Sequence, residues 1–219
     1  DGDNDYLSVS SQYNNLDQTT LEAWIYPMGL SGHQWIFSNG RDCCTPNGGF
    51  NFYYNGANLY CSVWRSSDNQ MISINAPNVI TQNEWQHVSM KYDGFQLFLY
   101  VNGNEVISSI VYSQSSILNG SNSLHMGVLA YSVPTYYDYY GMIDEVRIWD
   151  IARTESEIAD NYTKSLSGNE LGLLGYWNFD DTTTTDLTVN GNNGILNGDA
   201  SITEINAPIV NWLSISNLT

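Results

Sequence analysis

Carboxylates at two points of this 219-residue chain are of the type and spacing that hold a divalent cation. Asp1, Asp3 and Asp5 surround Gly2 at the start, and Asp144 stands beside Glu145 in "GMIDEVRIWD", a strand pattern. Acids are poor strand residues, so two of them at the mouth of a strand ask for a reason. Calcium collects about six to eight hard oxygens from carboxylates and backbone carbonyls. If every turn reverses the chain, the first strand and the strand at Gly141 begin at the same end. Asp144, Asp3 or Asp5, the more dispensable Asp1 and the Gly2 carbonyl would then converge on one Ca²⁺. Glu145 would face solvent or pair with Arg147 or Arg153. The plainer alternative is that the acids only solubilise a strand edge.

Two further groups suit recognition. "GRDCCTPNGGF" is a polar loop, and the hairpin after it returns to "RSSDNQ". Antiparallel pairing places loops 40–49 and 65–70 at one end, gathering Arg41, Asp42, Arg65 and Asp68. Such side chains donate to and accept from vicinal sugar hydroxyls. Trp64, Tyr53 or Trp35 would offer a stacking face, although each Trp taken alone suits a core better. Cys43 and Cys44 either close a ring with each other, stiffening this loop as a surface for a sugar, or one of them bridges to Cys61. That bridge needs Cα atoms within about 7 Å, and Cys61 should lie opposite Phe52 rather than at the loop tip. Three reduced cysteines are the third possibility. The second group is "YSVPTYYDYY", where Tyr131, Tyr136, Tyr137, Tyr139 and Tyr140 crowd one loop. Tyrosine gives contact area at low entropy cost. Alternation should bury about half of them, and strand counting places the loop at the calcium end.

Catalytic signatures are missing. No GxSxG, HExxH or phosphate-binding loop occurs, and "DEVRIWD" lacks the E-x-D-x-x-E carboxylate spacing used by glycosidases on related sandwiches. The expectation is a binder, not an enzyme. Acids number 23 against 6 cations, a formal charge of -17. That balance excludes nucleic acid, which requires clustered cations, and disfavours anionic membranes. No apolar run approaches the ~18 residues of a membrane span. Beginning at Asp1 without Met, the chain reads as a mature or excised piece.

The elements that must position these groups are short strands. Candidates are Tyr6 to Val9, Leu21 to Tyr26, Trp35 to Phe37, Phe50 to Tyr54, Leu59 to Trp64 and Met71 to Ile74. Trp85 to Tyr92, Phe95 to Val101, Val106 to Val111, Ser123 to Val128, Met142 to Trp149 and Leu174 to Phe179 follow. Turn residues separate them at the spacing of a sandwich or barrel. Asp93-Gly94 and Asn102-Gly103 read as hairpin turns, since both dipeptides tolerate positive φ. One helix is expected in "TESEIADNYTKSL", with Thr154 and Glu157 as a capping box and Ile158, Tyr162 and Leu166 on its inner face. "DTTTTD" reads as a loop. Residues 206–219 read as a Pro-containing linker and the first strand of a following module.

"EWQHVSMKYDGFQLFLYVNGNEV" resembles the central hairpins of laminin G-like domains of the concanavalin A-like type. "GMIDEVRIWDIARTESEI" resembles the late strand and helix of that family, and "DGDNDYLSV" its first strand. "LLGYWNFDD" with "NGNNGILNGDA" is similar to a further family segment. The resemblance covers about residues 1–205. It implies an all-β, two-sheet antiparallel jelly-roll sandwich with one short amphipathic helix. It also implies a Ca²⁺ between the first strand and the Ile-Asp-Glu strand, clamping the sandwich rather than doing chemistry. The function expected is a calcium-stabilised glycan-binding module, monomeric and tethered within a larger secreted or cell-surface protein. The alternative is an adhesion domain that grips protein or peptide.

Overall fold

A computed structural model describes residues 5–10, 13–40, 48–120, 122–129, 139–203 and 207–209. Two antiparallel sheets stack into a sandwich with one helix, as the sequence patterns require. The first sheet has seven strands in the order β13-β1-β10-β3-β4-β5-β6. These are β1 (Tyr6–Val9), β3 (His33–Ser38), β4 (Phe50–Asn55), β5 (Asn58–Trp64), β6 (Met71–Ala76), β10 (Leu124–Met126) and β13 (Gly194–Asn197). The second has six, β12-β11-β2-β7-β8-β9. Its members are β2 (Thr19–Pro27), β7 (Gln86–Tyr92), β8 (Leu97–Val101), β9 (Asn104–Ser108), β11 (Gly141–Trp149) and β12 (Leu173–Trp177).

Alternation decides which side chains meet between the sheets. Phe50, Phe52 and Tyr54 of β4 and Leu59, Cys61 and Val63 of β5 point inward and are fully buried. Leu21, Ala23 and Ile25 of β2 and Val146 and Ile148 of β11 meet them from the other sheet. A second, smaller cluster of Trp149, Leu173 and Tyr176 lies apart, with Ile151 and Leu166 packed on it.

The Asn102-Gly103 turn has both residues at positive φ, 49° and 77°, the twist a two-residue hairpin needs. Asp93-Gly94 instead opens a four-residue connection, where the Asp93 carboxylate accepts N–H groups of Phe95 and Gln96. The capping box is present: Thr154 accepts from the Glu157 N–H and Glu157 accepts from the Thr154 N–H. The helix α1 (Glu155–Asn161) is shorter than its apolar pattern suggests. Ile158 is buried, Tyr162 caps the end, and Leu166 lies beyond it.

Several boundaries differ from the sequence reading, β8 for one beginning at Leu97 rather than Phe95, and one strand was not read at all. β9 ends at Ser108, because Ser109 donates back to the Leu97 carbonyl, leaving Ile110 and Val111 exposed. β12 ends at Trp177, and Phe179 turns away at φ 55°. β13 carries no alternating burial, which is why its pattern did not announce a strand; Ile195 and Leu196 are both exposed. Residues 206 and 210–219, read as linker and new module, lie outside the described residues.

Candidate functional site

The two carboxylates at the mouth of β11 are separated by a bulge. The register against β2 shifts between Asp144 and Arg147, and Glu145 takes φ 51°. A bulge re-aims the side chains on either side of it. Asp144 turns to the strand mouth, where its two oxygens accept the N–H groups of Glu145 and Ala207 at 2.8 Å each. Burial pushes its pKa up, the two backbone donors oppose that, and the nearby Asp180 charge adds to it.

Glu145 goes the other way, into a buried ion cluster on the outer side of the six-stranded sheet. Arg147 donates to Glu145 at 2.8 Å, and Tyr176 donates to the same carboxylate at 2.9 Å. Burial raises the Glu145 pKa against the pull of Arg147. Glu145 therefore pairs with Arg147 and does not face solvent. Glu22 of β2, fully buried, is the centre of the cluster. Arg153 donates to it at 2.8 Å, Arg147 lies 3.9 Å away and His87 Nε2 3.3 Å away. This assembly fastens the helical segment to the sheet, since Arg147 also donates to the carbonyls of Asn161 and Lys164.

A cavity of about 500 Å³ opens where β1 and β11 begin. Asp5, Asp144 and Asp199 line it, over an apolar floor that includes Leu7, Met126, Ile143 and Phe179. Tyr139 and Tyr140 also line it. Tyr139 is buried and donates to the Met142 carbonyl, while Tyr140 is exposed, so this end of the tyrosine loop divides as alternation predicts. The first strand and the Gly141 strand thus begin at one end. Asp1, Gly2, Asp3, Tyr131, Tyr136 and Tyr137 lie outside the described residues. Among the described residues, no group of three or more His, Cys, Asp or Glu side chains is arranged to hold a metal.

Strand directions place Gly40, Gly48, Gly49 and the loop 65–70 at the opposite end, where the Trp64 backbone N–H donates to the Gly49 carbonyl. Arg41, Asp42, Cys43 and Cys44 lie outside the described residues. Arg65 is buried: it pairs with Asp68 at 3.1 Å, donates to the Ser113 carbonyl and lies over the Tyr112 ring. Its guanidinium braces two loops. Trp64 is buried as well. Cys61 is a free, fully buried thiol opposite Phe52, so a bridge from it to Cys43 or Cys44 is not formed.

The outer side of the seven-stranded sheet brings Tyr53 and Trp35, two of the stacking candidates, together with Tyr60, which the sequence did not single out. Alternation turns Asn51 and Tyr53 of β4, Tyr60 and Ser62 of β5, and Ser73 and Asn75 of β6 outward. Trp35, Tyr53 and Tyr60 form a row across β3, β4 and β5, with ring centroids 4.4 Å and 5.0 Å apart. Tyr53 and Tyr60 lie parallel within 3°. Trp35 is buried at one end of the row, whereas Tyr53 and Tyr60 are half-buried. Asn75 stands opposite Tyr60 in the register. Beside the row, Ser38 donates to Asn51, and Asn51 to Ser62.

Two sheets stacked this way, with a loop-rich end and an outward aromatic row, meet their match in one family model. The model of the concanavalin A-like lectin/glucanases superfamily, laminin G type, covers residues 1–159. The chain belongs to this superfamily. The superfamily fold continues past the matched part, since β12 pairs with β11 and β13 with β1. No curated protein sequence matches the chain. Among solved structures, it is similar to a Bacteroides ovatus protein provisionally described as carbohydrate-binding, at 21% identity and TM-score 0.70. That likeness covers 93% of this chain and 61% of the other, so the chain spans about three fifths of that relative. It is also similar to the CBM40 module of a Ruminococcus gnavus sialidase bound to α2,6 sialyllactose, at 13% identity and TM-score 0.59, covering 72% and 93%. The binding domain of botulinum neurotoxin serotype G shares the fold at 15% identity and TM-score 0.54, covering 71% and 39%.

Proposed function

We propose that the chain is a non-catalytic glycan-binding module whose site is the outer face of the seven-stranded sheet, centred on Tyr53 and Tyr60. The observation that carries this is the half-buried pair of rings, Tyr53 and Tyr60, flanked by the exposed Ser73 and Asn75. A pyranose offers an apolar C–H face and a rim of hydroxyls. Aromatic rings match the first, and amide and hydroxyl side chains the second. Fold relatives described as carbohydrate-binding or bound to sialyllactose agree with this reading. No strand of this sheet carries a carboxylate, and glycoside hydrolysis ordinarily requires two flanking the bond.

Tyr60→Ala should weaken capture by an immobilised glycan about tenfold or more, a loss of about 1.4 kcal/mol. The melting temperature should fall by only a few degrees, because Tyr60 is half-buried and outside the core. A glycan array followed by titration of the best hit reads this. Unchanged affinity in Tyr60→Ala and Tyr53→Ala together would move the site elsewhere, and the cavity at Tyr139 and Tyr140 becomes the next place to examine.

We also propose that one Ca²⁺ binds at the opposite sheet's strand mouth, held by Asp144 with the first strand, and that it clamps the module. Asp144 keeps lone pairs beyond its two backbone hydrogen bonds, and Asp5 and Asp199 line the same cavity. The remaining oxygens would come from Asp1, Gly2 and Asp3. A ligand that binds only the folded state raises its stability by mass action. EDTA should therefore lower the melting temperature, and excess Ca²⁺ should restore it. In Asp144→Asn, which keeps an oxygen for one backbone donor, the melt should no longer respond to Ca²⁺. A wild-type melt indifferent to EDTA sinks the proposal. Because the module is read as one piece of a secreted or surface protein, millimolar-range Ca²⁺ is the relevant supply.

A further inference from the structure

The charge of this protein is distributed unevenly between its two sheets. The seven strands β1, β3, β4, β5, β6, β10 and β13 contain no Asp, Glu, Lys or Arg. Their only ionisable outward groups besides tyrosine are His33 of β3 and His125 of β10. His125 is shifted toward neutrality by burial. The six-stranded sheet holds Glu22, Lys91, Glu105, Asp144, Glu145 and Arg147. A chain with a formal charge of -17 has thus kept one whole sheet free of formal charge.

The cations among the described residues are committed elsewhere. Arg147 and Arg153 are buried against Glu22. Arg65 follows β5 but is buried and paired with Asp68. Lys91 lies over the Phe98 ring at 3.9 Å, on the six-stranded sheet. Lys164 follows α1, against that same sheet. Among the described residues, no Lys or Arg is therefore free beside Tyr53 and Tyr60.

We infer that the face selects neutral glycans and rejects acidic ones. This rests on the glycan reading above and adds the chemical class of ligand. A carboxylate or sulfate brought onto the row loses water, which is costly for a charged group. Among the described residues it meets no Lys or Arg to replace that water, only the neighbouring His33 ring 5.3 Å from Tyr53. It also approaches through the field of a strongly acidic protein, which repels anions over about 10 Å at 0.1 M salt. Neutral hydroxyls incur neither cost, and the exposed Asn75 and Ser73 supply both donors and acceptors for them. Discrimination of this kind works by withholding partners from the wrong ligand. The sialyllactose carried by the similar CBM40 module is therefore not the ligand expected here.

The test is an array of neutral oligosaccharides printed beside their sialylated, sulfated and uronic-acid counterparts, probed with the intact chain, followed by titration of the best pair. Hits should be neutral, and each acidic counterpart should bind at least tenfold more weakly. Affinity for the neutral hit should change less than about twofold when salt is raised from about 0.05 M to about 0.5 M, because no ion pair is screened. Asn75→Lys, which places a cation beside Tyr60, should narrow the gap between neutral and acidic partners. An acidic glycan that binds as well as its neutral parent overturns the inference, as does an Asn75→Lys protein with unaltered preference. An array without any hit instead overturns the glycan reading itself.

Discussion

Arg147→Ala should destabilise the sandwich by about 3–5 kcal/mol, the usual cost of removing one partner from a buried ion pair. For a domain of this size that is a fall in melting temperature of roughly 10 °C or more. Arg147 is fully buried. It neutralises Glu145 at 2.8 Å, contributes to Glu22 at 3.9 Å, and donates to the carbonyls of Asn161, the last helical residue, and Lys164 just beyond it. The substitution strands Glu145 between the sheet and the helical segment with Tyr176 as its remaining donor. It also strips the cation from a helix C-terminus, where the macrodipole favours one. Arg147→Lys should recover less than half of the loss, because one ammonium cannot reach a carboxylate and two carbonyls as a planar fork does. Urea unfolding of the three proteins reads these differences. A change of under 1 kcal/mol in Arg147→Ala would show that the cluster does not anchor the helix.

That cluster explains why some of the molecule was legible in sequence and some was not. Strands, turns and the capping box are written in local spacing, so residues such as Thr154, Glu157, Asn102 and Gly103 announce themselves. The hairpin Phe50 to Trp64 goes further. A pairing that sets Cys61 against Phe52 necessarily sets Tyr60 against Tyr53, so two of the three rings of the aromatic row were already implied by register. What register cannot give is the neighbour across a non-sequential pair. β3 is joined to β10 and β10 to β1, which extends the neutral sheet through pairs such as Phe37 with Met126 and Leu7 with Met126, far apart in the chain. Glu22, His87, Arg147 and Arg153 likewise come from β2, β7, β11 and the approach to α1, and none carries a local motif. Glu145 was ambiguous between solvent and Arg147 because a bulge, visible only in the pairing of β11 with β2, chooses its direction. Trp64 and Arg65 looked like ligand groups because exposure is not written in residue type. Both are buried, and Arg65 is consumed by Asp68 and Ser113.

The same cluster should make the protein lose stability in acid in two stages. Burial by itself would raise the Glu22 pKa, but the adjoining His87 and the Arg153 and Arg147 charges outweigh it and hold the group at about 2. Its ordinary value is 4.5. A carboxylate whose folded pKa lies below its unfolded one contributes stability that is present above the unfolded value and lost as pH falls toward the folded value. For Glu22 the window runs from 4.5 down to about 2, and the contribution is about 3 kcal/mol. His87 is pushed below its ordinary 6.5 by burial, against the pull of Glu22. The unfolded chain therefore takes up a proton on this residue near 6.5 while the folded chain resists it, so stability begins to fall there. Glu145 acts in the opposite sense: burial raises its folded pKa, so some of its cost at neutral pH is relieved as pH drops. Asp144 behaves similarly. These two flatten the curve without reversing it, since their own shifts are opposed by Arg147 and by backbone donors respectively. Urea midpoints measured from pH 8 to pH 2 should fall first below 6.5 and then more steeply below 4.5. Glu22→Gln should be less stable at neutral pH and should lose the steeper stage. An acid limb of undiminished slope in Glu22→Gln would place the decisive carboxylate outside this cluster.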